Sequence, residues 1–212
     1  MTSTRPPSPT RVRKIPAHFG DIMSSQETSL VFPNGFSGLE RIVLTANGNL
    51  QRIFSAFFNL PIAIEIMKND LLPASARFED EPILDDENPA AVLQRFDREV
   101  NLRCGQIVVC NAKSHILIRD PEVLDMIANG GVGIGQLFRY LDKLPKFVLH
   151  AVGRRNQTWW RKYSLRMTGV ECRIRETFPS GMFEDGWLEK ANTHVSLVFE
   201  PELEEDTVWE FE

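Results

Sequence analysis

The sequence predicts an α+β protein with a single antiparallel sheet and helix-turn-helix flaps. Two stretches, 98–110 and 161–178, alternate apolar and polar residues on either side of a short turn, as hairpins do. Other stretches carry apolar residues at helical spacing. A chain of 212 residues suits one domain with a sizeable core. Antiparallel strands interrupted by helical pairs are typical of the α+β class.

The first predicted elements are a helix and a strand. The turn and cap signal Asn47-Gly48-Asn49 precedes apolar residues that recur at helical spacing from Leu50 to Phe58. A strand over Pro61–Met67 follows, because three isoleucines alternate there with other residues. The pair Asn88-Pro89 resembles a helix cap and first turn, so we expect a short helix through Phe96.

The next elements are a hairpin and a helical pair. Residues 98–104 alternate, Gly105-Gln106 turns the chain, and residues 107–110 return as an apolar strand. Asp120-Pro121 then begins a helix that runs through Ile127. Three glycines between 131 and 135 precede a second apolar-striped helix, and their spacing fits no phosphate-binding loop. We interpret this segment as a helix-turn-helix flap.

A second hairpin ends the predicted sheet, after a strand over 147–152. The strand at 161–167 turns at Thr168-Gly169, and the returning strand contains Glu176. One face of that strand consists of Cys172, Ile174, Glu176 and Phe178, so a carboxylate occupies an apolar row. An unpaired buried carboxylate costs several kcal/mol, roughly, and is normally paired, protonated or functional.

Arg98 is the second misplaced charge, since it heads the row that continues with Val100, Leu102 and Cys104. Two interpretations remain open. Arg98 and Glu176 could form a structural ion pair with each other. Alternatively, they could bind a ligand, with the arginine holding a carboxylate bidentately and a protonated Glu176 sharing or donating a proton.

Composition narrows the classes of function. The three cysteines lack metal-site spacing and the four histidines are scattered, so we expect neither a metal nor a cofactor, and no disulfides. No apolar run reaches the roughly 18 residues of a membrane span, and the first residues lack the apolar core of a secretion signal. We therefore expect a cytoplasmic protein.

The charges are unevenly distributed around a net charge of −5. Residues 146–175 carry eight lysines and arginines against one glutamate, and residues 199–212 carry seven acids and no base. The basic stretch could attract an anionic ligand. Nucleic acid is not expected, because the protein is acidic and has no recognised binding motif. Trp209 and Phe211 in the acidic tail are expected to dock on the body of the domain.

Several of these segments, in this order, resemble the chorismate pyruvate-lyase family, also called 4-hydroxybenzoate synthases. They are Leu44–Leu50, Arg98-Glu99-Val100, Ala112-Lys113-Ser114, Gly133–Arg139, Trp160-Arg161, Thr168-Gly169 and Arg175–Pro179. The resemblance covers residues 38–183. Residues 1–37 are left as a disordered or loosely packed lead, and residues 184–212 as an extension with an acidic tail.

The resemblance implies a carbon–oxygen lyase that needs no cofactor and releases pyruvate from chorismate to leave 4-hydroxybenzoate, a biosynthetic reaction. It places Arg98 on the carboxylate and Glu176 at the hydroxyl end, where Glu176 is the candidate proton donor. It further implies that Leu50, Gly133, Ile134 and Ser114 bind the substrate.

Two other classes of function remain open beside the lyase. One is a non-catalytic module that binds a small aromatic or cyclic carboxylic acid. The other is a cyclase or isomerase of secondary metabolism that uses the same pocket on a larger substrate. The family's basic run is here Trp160–Ser164, and Asn47 stands where the family has an aspartate. These departures bear on the substrate more than on the fold.

Overall fold

The structure is a computed structural model that describes residues 32–76, 91–128, 145–155, 157–193 and 207–211, together with the backbone of 12–15, 22–23 and 28–29. The described strands are β1 (Val12–Ile15), β2 (Ile22–Met23), β3 (Thr28–Ser29), β4 (Ile62–Leu72), β5 (Gln94–Cys104), β6 (Ile107–Ile118), β7 (Lys146–Arg155), β8 (Thr158–Met167), β9 (Val170–Pro179) and β10 (Thr207–Phe211). The described helices are α1 (Gly38–Thr45), α2 (Leu50–Phe58), α3 (Pro121–Ala128) and α4 (Trp187–Thr193).

One large sheet organises the molecule, in the strand order β1-β10-β7-β8-β9-β6-β5-β4. The seven strands from β10 to β4 are antiparallel to their neighbours, and β1 adds to β10 in parallel. The predicted α+β class with one antiparallel sheet is confirmed. None of the described helices is long and apolar enough to cross a membrane.

Both predicted hairpins are present. In the first, β5 and β6 pair around Gly105, which has the positive φ that such a turn favours. In the second, Met167 pairs with Val170, so the two-residue turn Thr168-Gly169 fixes the register of β8 against β9. The predicted helices at Leu50 and Pro121 are also confirmed, as α2 and α3.

The prediction of a short helix that ends at Phe96 is wrong for its last residues. Residues 94–96 belong to β5, where Phe96 is buried and pairs with Leu71 on one side and Ile116 on the other. Pairing with two neighbouring strands outweighs a local cap signal. The start of that predicted helix and the predicted flap at 131–141 lie outside the described residues.

The hydrophobic core lies on one face of the sheet, which we call the core face. It carries Trp159 on β8, Phe178 on β9, Cys110 on β6 and Phe96 on β5, all of them buried. The helices α1 and α2 pack on this face, and the Phe54 ring of α2 contacts Phe178 edge to face, with centroids 6.0 Å apart. The core therefore fixes where these helices sit over the sheet.

The strand β10 joins the sheet beside β7. The side chain of Trp209 is buried in the core, and its ring meets Phe36 at a centroid distance of 5.3 Å. The Phe211 ring lies 6.3 Å from that of Phe32. The expectation that these two aromatic residues dock on the body of the domain is confirmed.

We predict that Gly153→Ala destabilises the fold by about 1–3 kcal/mol, because it overpacks the opposite face of the sheet. A methyl group at Gly153 would lie 2.3 Å from the indole ring of Trp160, which the Arg175 guanidinium covers at 4.5 Å. Denaturant unfolding measures the loss. The matched control is Gly38→Ala, where a methyl group meets nothing within 4 Å and stability should change by less than about 1 kcal/mol. Equal stabilities would contradict the predicted clash.

Candidate functional site

Glu176 is buried on the core face, as its position in an apolar row predicted. Its register partner on β8 is Arg161, which is fully buried. The Arg161 Nε donates a hydrogen bond of 2.6 Å to Oε2 of Glu176. A buried carboxylate therefore has an opposite charge in direct contact, which offsets part of the cost of removing both groups from water.

The same guanidinium also holds the end of helix α1. Its Nη1 donates to the backbone carbonyls of Val43, Leu44 and Ala46, at 2.9, 3.1 and 2.6 Å. The last carbonyls of a helix lack partners within the helix and carry partial negative charge, so a cation is favourable there. In the described part of the chain, Nη2 of Arg161 is buried without a hydrogen-bond partner.

Tyr163 completes the cluster on β8. Its hydroxyl donates to Oε1 of Glu176 at 2.9 Å, and its ring lies 4.4 Å from the Arg161 guanidinium. Burial, followed by the nearby Glu176 charge, raises the pKa of Tyr163 well above its ordinary value. The hydroxyl therefore remains a donor, and each carboxylate oxygen of Glu176 has one donor.

Burial and the charge of Glu176 shift the pKa values of two other groups in this cluster. Burial alone would lower the pKa of Arg161, but the adjacent Glu176 carboxylate, together with Tyr163 and Cys110, more than compensates, and the net shift is upward. Burial and the same carboxylate raise the pKa of the Cys110 thiol well above its ordinary value. Cys110 is thus a neutral thiol beside the cluster, unsuited to act as a nucleophile.

Arg98 does not pair with Glu176. The strand register places them on the same face, two strands and two residues apart, a Cα separation of roughly 12 Å by ordinary sheet spacings. Glu176 instead pairs with Arg161, so the interpretation in which Arg98 and Glu176 form an ion pair with each other is wrong. The sequence contains the signal for this, because a two-residue turn at Thr168-Gly169 puts residue 161 opposite residue 176.

Arg98 is a half-buried cation that no carboxylate of a described residue neutralises. Burial lowers its pKa. The side chains of Asn69 and Ser114 flank it in one cross-strand row. On β5, the apolar residues Val100 and Phe96 lie on either side of Arg98 on the same face.

Within the described part of the chain, the core face beside this row is exposed. On β4, Ile66 and Leu71 are 60% and 63% exposed, although both belong to the rows that face the core. Ser114, by contrast, is buried on β6, and Leu50 is buried at the start of α2. The described residues thus bring Arg98, Ser114, Glu176 and Leu50 to one face. Gly133 and Ile134 lie outside the described residues.

The two ends of this part of the core face carry opposite charges. An uncommitted guanidinium lies at one end, and a carboxylate held by two donors lies at the other, with Ala112 and Ile174 between them on the face. Among the described residues, no group of three or more histidine, cysteine or acidic side chains is placed to hold a metal ion. Such a surface suits an organic acid that carries a second polar group.

Comparison with known proteins finds no family model and no curated sequence that matches this chain.

We predict that Arg161→Met destabilises the protein by about 3–5 kcal/mol, because it leaves Glu176 buried without its counter-charge. Adding Glu176→Gln to that variant should restore at least about 1 kcal/mol, which denaturant unfolding of all four proteins of the cycle measures. The matched control is Arg103→Met, whose partner Glu65 lies 2.9 Å away but is 41% exposed, and which should lose no more than about 1 kcal/mol. Strict additivity of the two core substitutions would contradict the coupling.

A second prediction concerns alkaline pH. Burial raises the pKa of Cys172 to about 12. The neutral buried thiol contributes stability that is complete below the pKa of the unfolded thiol, about 8.5, and is lost as pH rises toward the folded value. The free energy of unfolding should therefore fall by roughly 2–3 kcal/mol more in the native protein than in Cys172→Val between about pH 8 and 11. Parallel pH profiles of the two proteins would contradict this.

Proposed function

We propose that the protein binds a cyclic carboxylic acid between Arg98 and Glu176 and eliminates pyruvate from chorismate, without a cofactor, to give 4-hydroxybenzoate. One observation carries the proposal. Arg98 is a desolvated, uncommitted cation on the same face as a buried glutamate that is fixed in place by two donors. The resemblance of the sequence to the chorismate-lyase family supports the choice of substrate.

The carboxylate end of the ligand is assigned to Arg98. A planar guanidinium can hold a carboxylate with two parallel hydrogen bonds, and partial burial strengthens such bonds. Ser114 and Asn69, on the strands either side, can each donate one more hydrogen bond to the same group. The row of three donors fixes both the position and the plane of the carboxylate.

The hydroxyl end is assigned to Glu176. Arg161 and Tyr163 both donate to this carboxylate, so it acts as an acceptor. A carboxylate has about four acceptor positions, of which these two bonds use one on each oxygen. A ring hydroxyl can donate to a remaining position. This assigns Glu176 to recognition of the hydroxyl rather than to the proton donation that the sequence suggested.

The reaction then requires little more than correct positioning of the substrate. The bond between a ring carbon and the enolpyruvyl oxygen breaks, and the neighbouring ring carbon that carries the hydroxyl loses its hydrogen as a proton. The ring becomes aromatic, and a proton added to the methylene carbon of the enolpyruvate gives pyruvate. Both reacting groups belong to one molecule, so holding its two ends in the reactive geometry supplies much of the acceleration.

A second candidate is a non-catalytic module that binds an aromatic acid with one carboxylate. Chorismate carries a second carboxylate on its enolpyruvyl group. On the core face, the described residues offer one uncommitted guanidinium, that of Arg98, because Arg161 is engaged with Glu176 and α1. That balance of charge favours a monocarboxylic ligand such as 4-hydroxybenzoate itself.

We predict that the purified protein releases pyruvate and 4-hydroxybenzoate from chorismate, and that Arg98→Gln lowers kcat/KM at least about 100-fold by removing a charged hydrogen-bonding partner. Pyruvate is followed with a coupled dehydrogenase, and 4-hydroxybenzoate by chromatography. Lys113→Gln is the matched control, because this exposed residue lies beside Ser114 on the opposite face of the sheet. Its kcat/KM should be unchanged.

The outcomes separate the two candidates. Binding of 4-hydroxybenzoate that depends on Arg98, without turnover of chorismate, supports the binding module and overturns the lyase. Failure to bind either compound overturns both. If turnover is found, Glu176→Gln should lower kcat/KM and product affinity by similar factors of no more than about ten-fold, because substrate and product share the ring hydroxyl and the amide still accepts a hydrogen bond.

A further inference from the structure

We propose that β4 is the interface for a second copy of this chain. In this arrangement the two β4 strands pair antiparallel about a two-fold axis, and their sheets become continuous. Closed two-fold dimers are the commonest oligomers, and each uses the same surface patch on both subunits.

The position of β4 makes the interface available. The strand has 11 residues and stands at the end of the sheet order, and no described strand pairs with its free side. Its apolar side chains are strongly exposed: Ile64 by 43%, Ile66 by 60%, Met67 by 56% and Leu71 by 63%. Long exposed apolar edge strands are templates for pairing with another strand.

The charges of β4 select the partner and the register. With the two-fold axis at Asn69, Lys68 of each copy lies opposite Asp70 of the other, so the interface contains two new opposite-charge pairs. The same register places Leu71 of each copy beside the bulge between Ile66 and Lys68 of the other. Moving the axis by one residue, to Lys68, would place Ile66 opposite Asp70. The strand is therefore complementary to itself in one register.

The same features disfavour other occupants. A bulge and charged side chains on an edge strand hinder pairing with unrelated strands, because few partners match both. A lipid surface is also a poor match, since Glu65, Lys68 and Asp70 alternate with the apolar residues and would be carried into the apolar region. A second copy meets the charges in reverse order and pairs them.

The test is a charge exchange across the axis, read by sedimentation equilibrium of the full chain over a range of concentrations. The native protein should dimerise. Lys68→Asp and Asp70→Lys, each alone, should weaken the dimer roughly ten-fold or more, because each places like charges opposite one another twice. The double variant should restore the native dissociation constant to within a few-fold, because the charges are again opposite.

Two controls isolate the interface from the fold. Lys68 also pairs with both Asp97 and Asp70 of its own chain, so circular dichroism and denaturant unfolding are recorded for each variant. The double variant lacks the pair with Asp97 and re-forms an opposite-charge pair between residues 68 and 70 within each copy. Because exposed pairs of this kind are worth about 1 kcal/mol or less, each single variant should keep the native circular dichroism spectrum and stability, and loss of the dimer in it reports contact between copies. Lys113→Asp makes the same charge change on an inner strand and should leave the dimer intact. A monomer at every concentration, with or without lipid vesicles, overturns the proposal, as does a dimer unaffected by both single substitutions.

Discussion

The buried pair of Arg161 and Glu176 is the interaction on which the arrangement of the molecule depends. One guanidinium neutralises the carboxylate in the sheet and, through three carbonyls, holds the end of α1, a segment about 115 residues earlier in the chain. Taking two charges out of water is favourable only when nearly every donor and acceptor is matched. The neighbouring strand, the Tyr163 hydroxyl and the end of α1 each supply a hydrogen-bonding partner to this pair. The β8–β9 hairpin and the end of α1 are therefore held in position by the same interaction.

The two faces of the sheet use charge differently. On the core face, charged groups are few and each has a defined position, as with Arg98 and Glu176. On the opposite face, polar side chains bond to one another across strands, as when Asn111 donates to Glu99 and Asn101 at 2.8 and 2.9 Å. Those cross-strand bonds stabilise the sheet without creating an unmatched group. Arg98, the cation without a neutralising carboxylate among the described residues, therefore lies on the face where a ligand would be desolvated.

The sequence predicted those parts of the fold that local patterns determine. Alternation and turn residues located both hairpins, and the apolar row located the burial of Glu176. The prediction of a helix ending at Phe96 was wrong because pairing with two strands depends on residues far away in the sequence, which a local cap signal does not report. Arg161 was missed for a related reason: each strand was interpreted by itself, although the turn length at Thr168-Gly169 already determined which residue faces Glu176. The contact with the carbonyls of α1 has no local signal at all.

Arg161 binds the backbone at the end of α1 and not the side chains there. The identities of Val43, Leu44 and Ala46 are therefore not constrained by this contact, so long as the helix ends in the same geometry. Val43 and Leu44 are still constrained by their burial in the core, whereas exposed side chains of α1, such as Leu39 and Ile42, can change while the anchor persists. Arg161 and Glu176 lack that freedom, because either one alone leaves a buried charge. Divergence of the molecular surface is thus easier through the exposed positions of α1 and α2 than through the pair beneath them.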